Sequence, residues 1–249
     1  MLSLSLKRQK LERDEKGCAF WKGYTEKADF KESETAAILV DMWDKHWSKG
    51  ATLRCGALAA KIDKTARALR DIGVLIIHAP SDVTGFYEGT EARKRALSVP
   101  RLKEYPKAAV VKDYPYPVDA SDGGSDTNEP KEQVDKIVWS RQTDKIFIDQ
   151  SKDVIFGDDG EEVYSYLAAK GIKNLIYMGV HTNMCILNRT FGIKKMLGYG
   201  INAVLCGNLT DCMYNPEKPP YVRHDEGTRL TVEYIEKFYC PTVEITGIT

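Results

Sequence analysis

The segment MGVHTNMCILNRTFGIKKM, residues 178–196, begins as the tail of an apolar run and continues as an amphipathic helix. At the junction, Gly179, Val180, His181, Thr182 and Asn183 lead to Cys185. Thr182 is a good N-cap type, which sets Cys185 in the first helical turn. Free backbone N–H groups and the positive end of the helix dipole favour a thiolate there. A carboxylate close by would take the thiol proton as general base. The competing reading is packing, since cysteine is a common small buried hydrophobe. Position favours a nucleophile for Cys185. By the same measure Cys206, inside an apolar run, is core, and no role follows for Cys55, Cys212 or Cys240.

Other chemically able groups sit just past other apolar runs. AAILVDMW (36–43) carries Asp41 and leads to Asp44 and His46, and VLIIHA (74–79) carries His78 and leads to Asp82. Arg141 and Gln142 follow KIVWSR (136–141); Asn208, Thr210 and Asp211 follow NAVLCG (202–207). With NLIYMGV (174–180), these runs are short and rich in β-branched or aromatic residues, as strands buried on both faces are. A weaker sixth, TVEITGI, lies near the C-terminus. Helical patterns separate them. The first places Leu53, Leu58, Ile62, Ala66, Leu69 and Ile72 on one face and closes at Gly73.

Strand–helix alternation predicts an α/β fold: a three-layer, doubly wound, mostly parallel six-stranded sheet in the order 3-2-1-4-5-6, with helices on both faces. Ligands in such sheets bind beyond the carboxyl ends of strands, where the order reverses. The first and fourth strands are neighbours there, so Asp41 and Cys185 would face each other.

The 249 residues are expected to form one domain, 1–249, with an N-terminal extension (1–34) and a long insertion (81–135) rich in Pro, Gly, Asp and Ser. The insertion is expected over the active face or at a subunit contact. Hydrophobic residues make up 43% and charged residues 29%, ordinary for a globular protein. Basic and acidic residues balance at 36 each, which argues against nucleic acid and anionic membrane as partners. No apolar run approaches the ~20 residues needed to span a bilayer. The first residues lack the features of a secretory signal. The six cysteines show no C-x-x-C pair, so reduced thiols and a cytoplasmic location are expected.

The segments ILVDMW and MGVHTNMC, with G-V-x-T-N-x-C at the fourth strand–helix junction, resemble the isochorismatase-like cysteine hydrolases, which include nicotinamidases and N-carbamoylsarcosine amidohydrolases. The likeness runs over residues 35–212. It implies an Asp–Lys–Cys triad with Asp41 as base and Cys185 as nucleophile, attacking an amide or related carbonyl of a small molecule to form an acyl-enzyme. It also implies a cis peptide at Val180–His181, aiming the N–H groups of His181 and Cys185 into an oxyanion hole. Where relatives carry the lysine, this chain has Arg141, which keeps the charge but cannot shuttle a proton near neutrality. Lys145 is the other candidate. Trp43, His46, Gln142 and Asn183 are expected around the substrate.

No cofactor is expected, nor a metal, since His78 and Asp82 do not form the Asp-x-His cluster of the nicotinamidase branch. Relatives suggest a homo-oligomer, a dimer or tetramer. Two rivals remain: a catalytically weak binding or scaffold protein that keeps the fold, and an isochorismatase-type vinyl-ether hydrolase, against which Cys185 argues.

Overall fold

A computed structural model of the chain describes residues 1–107, 109–124 and 136–246. Its sheet has eight strands rather than six, in the order β2-β1-β8-β7-β6-β3-β4-β5. The strands β3 (Thr35–Val40), β4 (Leu75–Ala79), β5 (Val154–Ile155), β6 (Asn174–Val180), β7 (Asn202–Asp211) and β8 (Thr242–Val243) pair in parallel. Every residue of β3 is buried, because helices cover both faces.

One face packs on α1 (Lys49–Asp71) through Ala59, Ile62, Ala66 and Leu69. The other packs on α3 (Gly160–Ala169), α4 (Ile193–Gly198) and α5 (His224–Phe238), where Tyr166, Leu167, Met196 and Ile235 meet Ile38, Tyr177 and Leu205. A short α2 (Glu91–Leu97) lies beside β5. The expected face of α1 needs correction at both ends: Leu53 and Ile72 are exposed, and Cys55 and Ala59 hold the buried side near its start.

The two added strands come from the N-terminal segment. β1 (Leu2–Arg13) and β2 (Ala19–Phe30) form an antiparallel hairpin with one-to-one register from Leu2 opposite Phe30 to Arg13 opposite Ala19. Leu2, Leu4 and Leu6 alternate into the core beside Phe30, which is why an apolar-polar alternation here means strand. Asp14 closes the turn by accepting from the backbone of Lys16 and Cys18.

The expected third strand is also corrected. KIVWSR does not enter the sheet; Ile137 is 63% exposed. Val138 and Trp139 pack instead on Trp47, Ala51, Met184 and Met213, covering the carboxyl end of the sheet. The edge position beside β4 goes to Val154 and Ile155. Behind them, Asp153 accepts both Arg70 nitrogens at 2.7 Å and faces His78 Nε2 at 3.0 Å, joining α1, β4 and the edge in a buried polar triad.

Candidate active site

β3 and β6 are adjacent, with Val40 opposite Gly179, so the residues after them meet. A Cβ on Gly179 would lie 2.2 Å from the Val40 carbonyl oxygen, so only glycine permits this approach. Asp41 leaves β3 with φ 46°, a left-handed conformation that aspartate tolerates better than most residues. Its N–H donates to Ala79 at 3.0 Å. One carboxyl oxygen accepts the Ser81 N–H at 2.8 Å. The other, Oδ2, is buried with no hydrogen-bond partner.

Past β6, the Val180–His181 peptide is cis. The chain then makes a π-helical turn over Thr182–Ile186, with the Ile186 N–H donating five residues back to His181 at 3.2 Å. A tight turn at Arg189–Gly192 separates it from α4, so the expected continuous helix is broken. Thr182 is not the N-cap: its hydroxyl pairs with Thr210 at 2.7 Å, and no side chain caps the turn. Cys185 is half-buried at the floor of a cavity of about 600 Å³.

The residue that completes the pair is Arg189. Its Nε lies 3.5 Å from Asp41 Oδ2, its second nitrogen 3.4 Å from Asp82 and its third 3.6 Å from Asp158. Four residues after Cys185 on the same turn of chain, it is where helical spacing brings a side chain back to the nucleophile's face. That spacing was the available signal.

Arg141 does not take this place. It is exposed, with its guanidinium 5.7 Å from the Phe86 ring and its backbone held by Asp44. Because 136–141 lies over the site as a cover and not as a strand, the Arg141 side chain lies beside Phe86, exposed, instead of reaching Asp41. Lys145 donates to the Gly56 carbonyl of α1 at 3.3 Å.

Burial raises the Asp41 carboxyl to about 6, against the opposing pull of Arg189, of the neighbouring Cys185 thiol and of the Ser81 N–H. Burial and the Asp41 charge push the Cys185 thiol above its usual range, with Arg189 opposing. The expectation that a helix N-terminus lowers the thiol is therefore corrected: burial and the neighbouring carboxyl push it up. Burial, with His46 nearby, holds His181 down at about 3, so its ring is neutral, and its Nε2 is buried without a partner.

Of the four pocket residues expected, only Asn183 lines the cavity. Its side chain is also a latch, donating to the Met213 carbonyl at 2.8 Å and accepting the Met213 N–H at 2.9 Å. Trp43 is buried, donating to Ser81 at 3.1 Å and stacked 4.1 Å from Trp139. His46 stacks on Trp139 at 5.5 Å and meets His181 edge-on at 5.1 Å. Gln142 is buried against His78 Nδ1 at 2.9 Å. These three form a wall behind the site because their side chains are engaged with one another and with the sheet.

The cavity's other wall is apolar, from Tyr116, Val118 and Ala120 of the long insertion, with Met184 opposite. The rest of that insertion's loop, 125–135, lies outside the described residues. Among the described residues, no group of three or more His, Cys, Asp or Glu side chains is arranged to hold a metal ion. No helix among them is long and apolar enough to cross a membrane.

No protein-family model matches the sequence, and no curated protein matches it. Solved structures do match. A cysteine hydrolase from Pseudomonas syringae pv. phaseolicola 1448A is 16% identical with a TM-score of 0.53, covering 86% of this chain and 90% of that one. The pyrazinamidase of Pyrococcus horikoshii, solved in complex with zinc, is 14% identical with a TM-score of 0.46, covering 85% and 99%. N-carbamoylsarcosine amidase from Thermoplasma acidophilum is 12% identical with a TM-score of 0.42, covering 86% and 98%. At 16% identity the first likeness speaks for architecture alone: the chain shares the fold of that cysteine hydrolase.

Proposed function

We propose that the protein is a cysteine hydrolase that cleaves a C–N bond of a small amide or ureide through a Cys185 acyl-enzyme. The observation that carries this reading is the buried Asp41 carboxyl, one oxygen fixed by Ser81 and the other unbonded, lying between the Arg189 cation and a cavity-facing thiol.

Asp41 takes the Cys185 proton as sulfur attacks the substrate carbonyl carbon. The carbonyl oxygen becomes an oxyanion, held by the N–H groups of His181 and Cys185. Collapse of this intermediate breaks the C–N bond, and the leaving amine takes the proton from Asp41, so neutral amine departs. Water then gives a proton to Asp41, attacks the thioester and releases the acid and the thiol.

Arg189 serves in the cation role that the resemblance assigns to a lysine. A guanidinium remains charged throughout, so its part is to stabilise the Asp41 carboxylate and the charge developing around it, not to carry a proton. The apolar wall of Tyr116, Val118 and Met184 favours a substrate with an uncharged acyl portion.

A panel of primary amides and ureides assayed for ammonia release tests the function. Turnover of a member by the wild type, its loss in Cys185→Ser and a substrate-derived mass increment on the wild-type protein are expected. A protein that binds panel members without releasing ammonia or forming an adduct is a binding protein, and the hydrolase reading fails.

A further inference from the structure

The hairpin of β1 and β2 leaves the body of the sheet. Beyond Lys7, which pairs with Thr242 of β8, no described strand continues along the outer side of β1. β2 ends the sheet, and among the described residues nothing pairs with its outer edge. One face of the ribbon's far half is anchored on α5: Trp21 packs edge-on against Phe238 at 5.3 Å, and Gln9 donates to Glu236 at 2.8 Å. On the other face Phe20 is 43% exposed and Lys22 is open to solvent. A two-stranded ribbon with one face uncovered is marginal by itself, and a 12-residue open edge is a template for another strand.

We propose that β2 pairs antiparallel with β2 of a second copy of this chain, about a two-fold axis at Tyr24. Three constraints select this register. Residues directly opposed across an antiparallel pair must share a face, so only same-parity partners are allowed. The overlap must be long, and the charges must match. With Tyr24 on the axis, residues 19–29 overlap and each Lys22 meets Glu26 of the second copy.

The same register sets Phe20 against Ala28 and Trp21 beside Lys27 of the second copy. Centring on Lys22, Glu26 or Lys27 would oppose like charges on the axis. Pairing Lys27 with Asp29 would overlap only residues 26–30. Lys22 already reaches Glu12 across its own hairpin at 3.2 Å, so the contact would extend a line of alternating charge. This commits the homo-oligomer reading to one surface, and it stands apart from the chemistry at Cys185.

The test is the association state of the full chain by sedimentation, with charge reversals at the two opposed positions. Wild type is expected to dimerise at micromolar concentration. Lys22→Glu and Glu26→Lys should each weaken the dimer by about tenfold, since two symmetric attractions become repulsions. The double reversal should restore wild-type affinity. A monomeric wild type overturns the proposal, as does a dimer indifferent to either reversal. Failure of the double reversal to recover the dimer also overturns it. Ammonia release measured in parallel stays at the monomer's level in all variants if the site and the edge are independent, and a change there does not rescue the pairing.

Discussion

At the scale of single residues, the arrangement turns on how one guanidinium is shared. Asp41, Asp82 and Asp158 each face a different nitrogen of Arg189. Arg189→Ala is therefore expected to lower kcat by about a hundredfold, the usual cost of removing a stabilising charge. Arg141→Ala should leave kcat within about twofold. Steady-state kinetics on one amide separates the two arginines; equal losses would reject the assignment.

The acid limb of the rate profile should fall near pH 6, where Asp41 becomes protonated. Asp82→Asn removes one competitor for Arg189, strengthening its hold on the Asp41 carboxylate. The limb should then move down by roughly half a pH unit. A move upward would show that Asp82 acts otherwise.

Stability carries a linked signature. Because the folded Asp41 titrates above its ordinary 3.8, its contribution is fully present below that value and is lost as pH rises through about 6. The unfolding free energy of Asp41→Asn relative to wild type should therefore rise between pH 4 and 7, by an amount on the order of 2 kcal/mol or less, read by chemical denaturation. A constant difference across that range would contradict a buried, raised carboxyl.

At the scale of elements, legibility followed burial. β3, β6 and most of β7 are all-buried apolar runs, and their signal in the sequence is direct. KIVWSR carries the same composition, but its apolar residues serve as a cover over Trp47 and Met213. Composition alone does not distinguish covering a site from crossing a sheet. The true edge, Val154–Ile155, is two residues long, too short for any period to show. That Asp41 and Cys185 come together was legible because both follow the ends of adjacent strands, β3 and β6. Arg189 carried only its four-residue spacing from Cys185 as a signal, which the apolar pattern does not set apart from a solvent-facing arginine.

The edge strand depends on buried polar contacts as well as on packing. Asp153→Ala would leave Arg70 and His78 buried without their shared acceptor. It should cost roughly 3–5 kcal/mol by chemical denaturation, against under 1 for removal of an exposed pair such as Lys94 with Glu91. A loss comparable to the exposed pair would show that the triad bears little of the edge's stability.

At the scale of the whole molecule, the site draws on distant parts of the chain: Asp41 from its first sixth, a lining wall from the insertion, and Cys185 and Arg189 from past its middle. Asp41, the insertion and the Cys185–Arg189 turn come together only when the parallel sheet closes. Ala120→Trp, at a partly buried cavity position outside the core clusters, should narrow the cavity, raising KM several-fold with Tm little changed. The π-turn at Thr182–Ile186 gives this assembly a sensitivity of another kind. A turn that bonds five residues back holds one residue more than an α-helical turn. Deleting a single residue there would restore ordinary winding and rotate the downstream chain by about 100°. Cys185 and Arg189 would swing together away from Asp41, which stays fixed at the end of β3. For this stretch the count of residues is as much a determinant of chemistry as their identity, and a frame-preserving loss of one codon would do what no single substitution of a neighbour can.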